Sequence, residues 1–231
     1  MMNEALRSLQ DFLSDESDMH GSIVPLDPPK SFNQKIMEIV DPAHPVHALN
    51  SLHELSTYVA SSVLTPIDEH RTCAVFGEGN PSADIMLVGE APGAEEDRTG
   101  RPFVGRAGQL LDKMLAAINL SRQDIFIANI LKSRPPKNRD PNSDEISAHL
   151  PVLYRQMSLV DPRLILCLGR VAGQTLLGSN DSLTRLRQQT HAFYGATLLV
   201  TYHPAALLRN STWKRPAWED LKQLRYLYHR K

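Results

Sequence analysis

From residue 84 onward the chain alternates short, nearly unbroken apolar runs with stretches whose apolar residues recur every three or four positions. The runs are IMLVGE (85–90), DIFIANI (124–130), RLILCLG (163–169) and ATLLVTYH (196–203). Helical spacing occupies 106–118, 142–159, 170–178 and 216–229. Strands of about six residues, apolar on both faces and separated by helices, predict a parallel sheet covered on both sides. The expected fold is therefore α/β, a three-layer α/β/α sandwich around a central, mostly parallel sheet of about four strands, with right-handed crossovers. Before residue 84 the period predicts helices over 3–13, near 32–40 and over 48–63, where Leu49, Leu52, Leu55, Val59 and Val63 share a face. The stretch DESDMHGSIVPLDPPKS between the first two is rich in breakers and reads as a linker. This divides the chain into a partly helical N-terminal extension, 1–45, and a main domain, 46–231.

Charge adds a second division. Residues 1–100 carry 5 Lys/Arg against 17 Asp/Glu, and residues 101–231 carry 20 against 9, so a net charge of −1 conceals two opposed halves. A basic C-terminal half suits a polyanion, although mutual attraction of the halves would need no ligand. No apolar run is long enough for a membrane span, and the N-terminus MMNEALRSLQDFL has neither the basic start nor the apolar core of a secretory signal. The two cysteines, Cys73 and Cys167, read as reduced, buried thiols of a cytoplasmic protein.

In an open parallel sheet, ligands sit beyond the carboxyl ends of the strands. Those ends carry GEAPGAEEDRTGRPFVG, NILKSRPPKNR, LGR and YHPAALLRNSTWKR, so the unusual local sequences gather on one rim. In the first loop Gly89 and Gly93 permit close backbone approach, and Glu90 can orient a water. Glu95, Glu96 and Asp97 could form a metal cluster, but adjacent acids rarely converge on one ion. Phe103 is either core packing or a platform for a flat ligand. Asn129 ends a strand and offers a donor and an acceptor side by side, as a pyrimidine edge requires, though a turn asparagine would look the same. Arg134, Lys137 and Arg139 suit phosphate contacts. His203 ends another strand and is directed by Pro204. Leu207 and Leu208 set apolar bulk beside Arg209, with Lys214 and Arg215 following, a composition that can wedge into a base stack while cations hold the backbone.

Taken together, GEAPGAEEDRTGRPFVGRAGQLLDKML, NILKSRPPKNRDP and YHPAALLRNSTWKRPAWEDL resemble the family 4 uracil-DNA glycosylases, in order, from about Thr72 to Leu224. The resemblance implies hydrolysis of the bond between uracil and deoxyribose in DNA. By it, Glu90 and Ala91 open the water-positioning loop, Glu96 is a further acidic position in that loop, and Phe103 stacks on uracil. Asn129 reads the base edge, His203 faces a uracil carbonyl, and Leu207 to Asn210 form the loop that inserts into DNA. The family usually holds a four-iron, four-sulfur cluster on four cysteines. The matching positions here are Ser62, Thr65, Ser133 and His149, and hydroxyls are poor substitutes for thiolates.

These readings lead to an enzyme expected to need no iron–sulfur cluster, no metal and no other cofactor. It would act as a monomer on single- or double-stranded uracil-containing DNA, flipping the base and leaving an abasic site. Two other expectations compete with it: a catalytically weak or inactive DNA-binding or replication-associated module of the same fold, and a metal-dependent phosphoesterase built on Glu95, Glu96 and Asp97.

Overall fold

A computed structural model describes residues 31–230 of the chain. The helix expected over 3–13 lies outside the described residues. The elements run α1 (Phe32–Met37), α2 (Leu52–Ser61), β1 (Glu78–Gly79), β2 (Ile85–Gly89), α3 (Ala94–Thr99), α4 (Arg106–Ala116) and β3 (Ile125–Asn129). They continue with α5 (Ser143–Val160), β4 (Leu164–Leu168), α6 (Arg170–Leu177), α7 (Leu183–Arg187), β5 (His191–Phe193), β6 (Ala196–Thr201), α8 (Pro204–Arg209) and α9 (Lys214–His229). Each expected strand is present, and each helix expected after residue 31 is present, with ends displaced by no more than four residues.

The sheet has six strands in the order β1-β3-β2-β4-β6-β5. The central four, β3, β2, β4 and β6, are parallel. They are the four apolar runs of the sequence. The two additional strands are short and antiparallel and occupy the edges. The sequence reading missed them because two or three residues, Glu78–Gly79 and His191–Phe193, carry too little pattern to register.

Side chains of successive strand residues point to opposite faces, and the two core layers follow that alternation. Met86, Val88, Phe126, Ala128, Ile165, Cys167, Leu198 and Val200 pack on one side with Leu153 and Met157 of α5 and Ala172 of α6. Ile85, Leu87, Ile125, Ile127, Leu164, Leu166 and Leu199 pack on the other with Leu111 and Leu115 of α4 and Leu221 and Leu224 of α9. Both faces of the sheet are covered, which makes the three-layer sandwich. Ile36 and Val40, N-terminal to the boundary expected at residue 45, are fully or almost fully buried. Cys167 is buried as expected, and burial pushes its thiol pKa up. Cys73 is only partly buried, a departure from the expected closed environment.

Among the described residues no helix is long and apolar enough to cross a membrane.

Candidate active site

The strand ends open onto one cavity of about 360 Å³, the size of a small-ligand site. Glu90, Ala91, Glu96, Phe103, Asn129 and His203 all line it, together with Arg139, Asp140 and Arg209. Glu90, Asn129 and His203, which span 113 positions of sequence, thus meet because β2, β3 and β6 point the same way.

The floor of the cavity is set by β2 and β3. Gly89 pairs in register with Asn129. A Cβ on Gly89 would lie 2.3 Å from Asn129 Oδ1 and 2.6 Å from Phe103 Cζ, so only glycine lets amide and ring approach. Beyond the paired strands, the Ile130 N–H donates to Gly89 O at 2.9 Å and the Leu131 N–H to Glu90 O at 3.0 Å. Asn129 is 1% exposed. Its Oδ1 is, among the described residues, the buried side-chain polar atom that has no hydrogen-bond partner.

Phe103 holds a left-handed backbone, φ 53°, which a bulky residue adopts only when its surroundings impose it. Two features impose it. Arg122 donates to the carbonyls of both Pro102 and Phe103. Gly108 in α4 lies against the Phe103 backbone, where a Cβ would sit 1.7 Å from the carbonyl oxygen. The ring is 5% exposed and faces the His203 imidazole, centroids 5.6 Å apart and planes tilted by 34°.

His203 caps the first turn of α8. Its Nδ1 accepts the Ala205 N–H at 3.2 Å, which leaves Nε2 to carry the proton. Burial, reinforced by Arg209 and opposed by Glu96, lowers its pKa to about 4. At neutral pH the ring is uncharged and available as a hydrogen-bond donor. Glu90 is shifted the other way: burial, with a contribution from Asp140 and against Arg170, raises its pKa to about 7.

The three consecutive acids of the first loop do not converge. They belong to α3, a helix of six residues between Gly93 and Gly100 that the sequence reading treated as loop. Glu95 pairs with Arg98 at 2.8 Å. Glu96 accepts the backbone N–H groups of Val104 and Gly105, both at 2.9 Å, and so braces the segment that carries Phe103. Asp97 accepts from the Thr72 backbone and hydroxyl, both at 3.0 Å. Among the described residues no group of three His, Cys, Asp or Glu side chains could hold a metal ion.

The arrangement joins a strained aromatic, an amide with an open acceptor, a neutral imidazole donor and a partly protonated carboxylate around one small cavity. Comparison with known proteins accords with it. Residues 76–222 match the family described as "Uracil DNA glycosylase superfamily". The chain belongs to that superfamily. It is 43% identical to the type-4 uracil-DNA glycosylase of Sulfurisphaera tokodaii, over 78% of this chain and 86% of that one. It is 40% identical to the type-4 uracil-DNA glycosylase of Pyrobaculum aerophilum, over 75% and 91%. A type-5 uracil-DNA glycosylase of the latter organism is 30% identical over 65% of this chain and 76% of its own.

Around the cavity the basic residues divide into free and committed ones. Lys137, Lys214 and Arg215 are exposed. Arg139 is clamped by Glu145, with contacts of 2.6 and 2.8 Å, and Arg134 is bound to Asn138 at 2.7 Å. Of the two leucines expected at the DNA-inserting loop, Leu207 faces inward. It is 2% exposed and packs with Tyr202 and Ala217, because α8 turns one leucine to the core and its neighbour out. Leu208, at 44% exposure, is the leucine on the surface.

Of the four positions that the resemblance matches to cluster cysteines, Ser62, Thr65, Ser133 and His149, the last three share one buried side-chain network here. Thr65 Oγ1 lies 3.4 Å from His149 Nε2, and His149 Nε2 lies 3.6 Å from Asp68 Oδ1. The Ser133 hydroxyl donates to Asp68. Arg71 donates to Asp68 and to Ser133 Oγ, both at 3.2 Å. Its other nitrogen donates to the carbonyls of Val59, Ala60 and Ser62 at 2.7 to 3.0 Å, capping the end of α2. Asp68 also accepts the N–H groups of Leu64 and Thr65 at 2.8 Å. Burial, strengthened by the nearby Lys132 and Arg71 charges, lowers the His149 pKa and keeps the ring neutral. Hydroxyls, one imidazole and a guanidinium in their midst do not fit an iron–sulfur cluster, which is held by thiolates.

Several residues of the site gave no signal in the sequence: Asp140 and Arg170 beside Glu90, and Asp68 and Arg71 in the polar network. Asp140 and Arg170 meet across 30 positions, and Asp68 and Arg71, a local pair, reach Ser133 and His149 only through the tertiary fold.

Proposed function

We propose that this protein is a DNA repair glycosylase that extrudes uracil from DNA and hydrolyses its N-glycosidic bond, leaving an abasic site. The observation that carries this reading is the unpartnered Oδ1 of Asn129. A buried acceptor without a donor costs about 1–3 kcal/mol, a cost that binding of the right ligand removes. Uracil presents an N–H beside a carbonyl, matching the acceptor and donor of the amide. Cytosine presents an unprotonated ring nitrogen beside an amine, so each pairing becomes a clash of like groups.

In this mechanism uracil stacks on Phe103 with its edge on Asn129. The bond from the sugar carbon to the base nitrogen breaks, and its electron pair leaves with the base, giving a sugar cation and a uracil anion. His203, neutral with its proton on Nε2, donates a hydrogen bond to the developing oxyanion, a contribution of about 2.7–4 kcal/mol in comparable sites. The first loop and Glu90, in its ionised form, hold a water whose oxygen adds to the sugar carbon while one of its protons passes to the Glu90 carboxylate. Glu96 acts through the segment it braces. Leu208 fills the gap left by the flipped nucleotide, with Arg209, Lys137, Lys214 and Arg215 toward phosphates.

The reading includes a cluster-free enzyme, supported by the donor set at Ser62, Thr65, Ser133 and His149, and a monomer in the cytoplasm, a setting that suits two unpaired thiols. The domain begins near Ser31, in keeping with the grouping of residues 31–231 in one compact unit. Neither an inactive DNA-binding module nor a phosphoesterase on the α3 acids is favoured. A mere binder has no use for the uncharged His203 donor, and the three acids have separate partners.

The test is release of free uracil from single- and double-stranded oligonucleotides by wild type, His203→Ala and Asn129→Ala, with iron determined on the same samples. Release by wild type, strongly reduced in both variants and with no stoichiometric iron, is expected. Absence of uracil release by wild type, or wild-type rates in both variants, would overturn the reading.

A further inference from the structure

Lys132 is the one lysine in the core among the described residues, and it is fully buried. Its Nζ donates to the backbone carbonyl of Asn129 at 2.7 Å and to Gln156 Oε1 at 2.6 Å. Gln156, also fully buried, is fixed in turn by donating to Phe76 O at 2.8 Å. The lysine backbone is equally constrained, since its N–H donates to His149 Nδ1 at 3.2 Å and its carbonyl accepts the Val75 N–H at 2.8 Å. No carboxylate forms an ion pair with the ammonium among the described residues. Burial alone lowers its pKa, to about 7.

An interior ammonium without a counter-ion is expensive, and a methionine of similar length would fill the same space without that cost. Carbonyl satisfaction is not sufficient reason for it. What distinguishes the position is its neighbour. The carbonyl it holds belongs to Asn129, at the point where pairing between β2 and β3 ends and the side chain enters the cavity.

We propose that Lys132 is a further residue of the uracil site. It acts through Asn129, fixing that residue's peptide and setting a positive charge behind the edge where the departing base becomes anionic. The inference rests on the reading of Asn129 as the uracil-binding amide. A preorganised charge in a water-free interior acts on a developing anion without reorganisation at the moment of reaction. It is a positioning residue, because it touches Asn129 and not the base.

The experiment compares Lys132→Met and Gln156→Glu with wild type in single-turnover and steady-state uracil release, alongside thermal melting and inhibition by free uracil. Lys132→Met removes the hydrogen bonds and the charge. It is expected to melt no lower than wild type while kcat falls about 10- to 100-fold, as displaced catalytic groups commonly cause, with KM for DNA unchanged and weaker inhibition by uracil. Gln156→Glu keeps an acceptor for Nζ and adds a compensating charge, so it is expected to stay folded and to lose kcat by a smaller factor. Wild-type kcat in Lys132→Met would overturn the proposal, as would a loss of activity that only parallels a lowered melting temperature. Wild-type kcat in Gln156→Glu would overturn the electrostatic part. Asn129→Ala is the control: if it too retains wild-type activity, the site reading itself fails, whereas its inactivity beside an active Lys132→Met condemns the lysine alone.

Discussion

Two polar regions of this molecule, built from similar residue types, are finished differently. Around Asp68 and Arg71 the hydrogen bonds are internal: the carboxylate accepts from two backbone amides, a serine and a guanidinium, and that guanidinium also serves three carbonyls. Around the cavity, by contrast, Asn129 keeps an acceptor unpaired and Phe103 keeps a backbone angle its residue type avoids. Glu90 and His203 are both held toward their uncharged forms by burial. The first region is complete without a ligand. The second leaves interactions to be made by one. A buried network that satisfies itself stabilises, and one left incomplete identifies where binding energy is to be gained.

The comparison is broken most directly at Arg71. Arg71→Met strands a buried carboxylate and three helix-end carbonyls, and is expected to lower stability by about 3–5 kcal/mol in denaturant unfolding. If the region is purely structural, the fraction that remains folded should retain wild-type uracil release per folded molecule. The reverse pattern is expected at His203. His203→Ala should cost only the lost cap of α8, about 1 kcal/mol in unfolding, and reduce the single-turnover rate by about 100- to 1,000-fold. A variant that failed in both assays would erase the distinction between the two regions.

A finer test uses charge. If Glu90 works as a carboxylate, activity should rise with pH through a pKa of about 7. Asp140 raises that value and Arg170 lowers it, and the two pair with each other at 3.1 Å. Asp140→Asn should therefore move the acid limb of the pH–rate profile to lower pH, and Arg170→Gln should move it higher. Shifts of the same sign in both would show that the limb belongs to another group. The smallest effect is expected at the loop tip. Leu208→Ala should slow excision from duplex more than from single-stranded DNA, where little unstacking is required. Leu207→Ala should instead cost stability, by about 2–5 kcal/mol, because that side chain is core.

The sheet was legible because each central strand is a continuous apolar run, and the site because strand ends with unusual residues fall on one rim. What escaped has physical causes. Helix α3 consists of AEEDRT between two glycines, with no apolar residue larger than alanine to mark a period. The choice between Leu207 and Leu208 depends on the orientation of a six-residue helix, which two adjacent leucines do not specify. Arg71 meets Ser133 across 62 positions, and Lys132 meets Gln156 across 24, contacts that exist only once the layers have assembled. The four positions expected to match cluster cysteines were identifiable from the resemblance. The Asp68 carboxylate and Arg71 guanidinium that lie among them were not.

Gly89 has a practical corollary. A methyl group added to it would fall within 2.9 Å of both the Asn129 amide and the Phe103 ring. The close approach of amide and ring thus depends on an atom the residue lacks. On the proposed reading, Gly89→Ala would act as a doorstop, shutting out the flipped base while leaving the exposed Lys137, Lys214 and Arg215 untouched, and would convert the enzyme into a reagent that holds DNA without cutting the glycosidic bond.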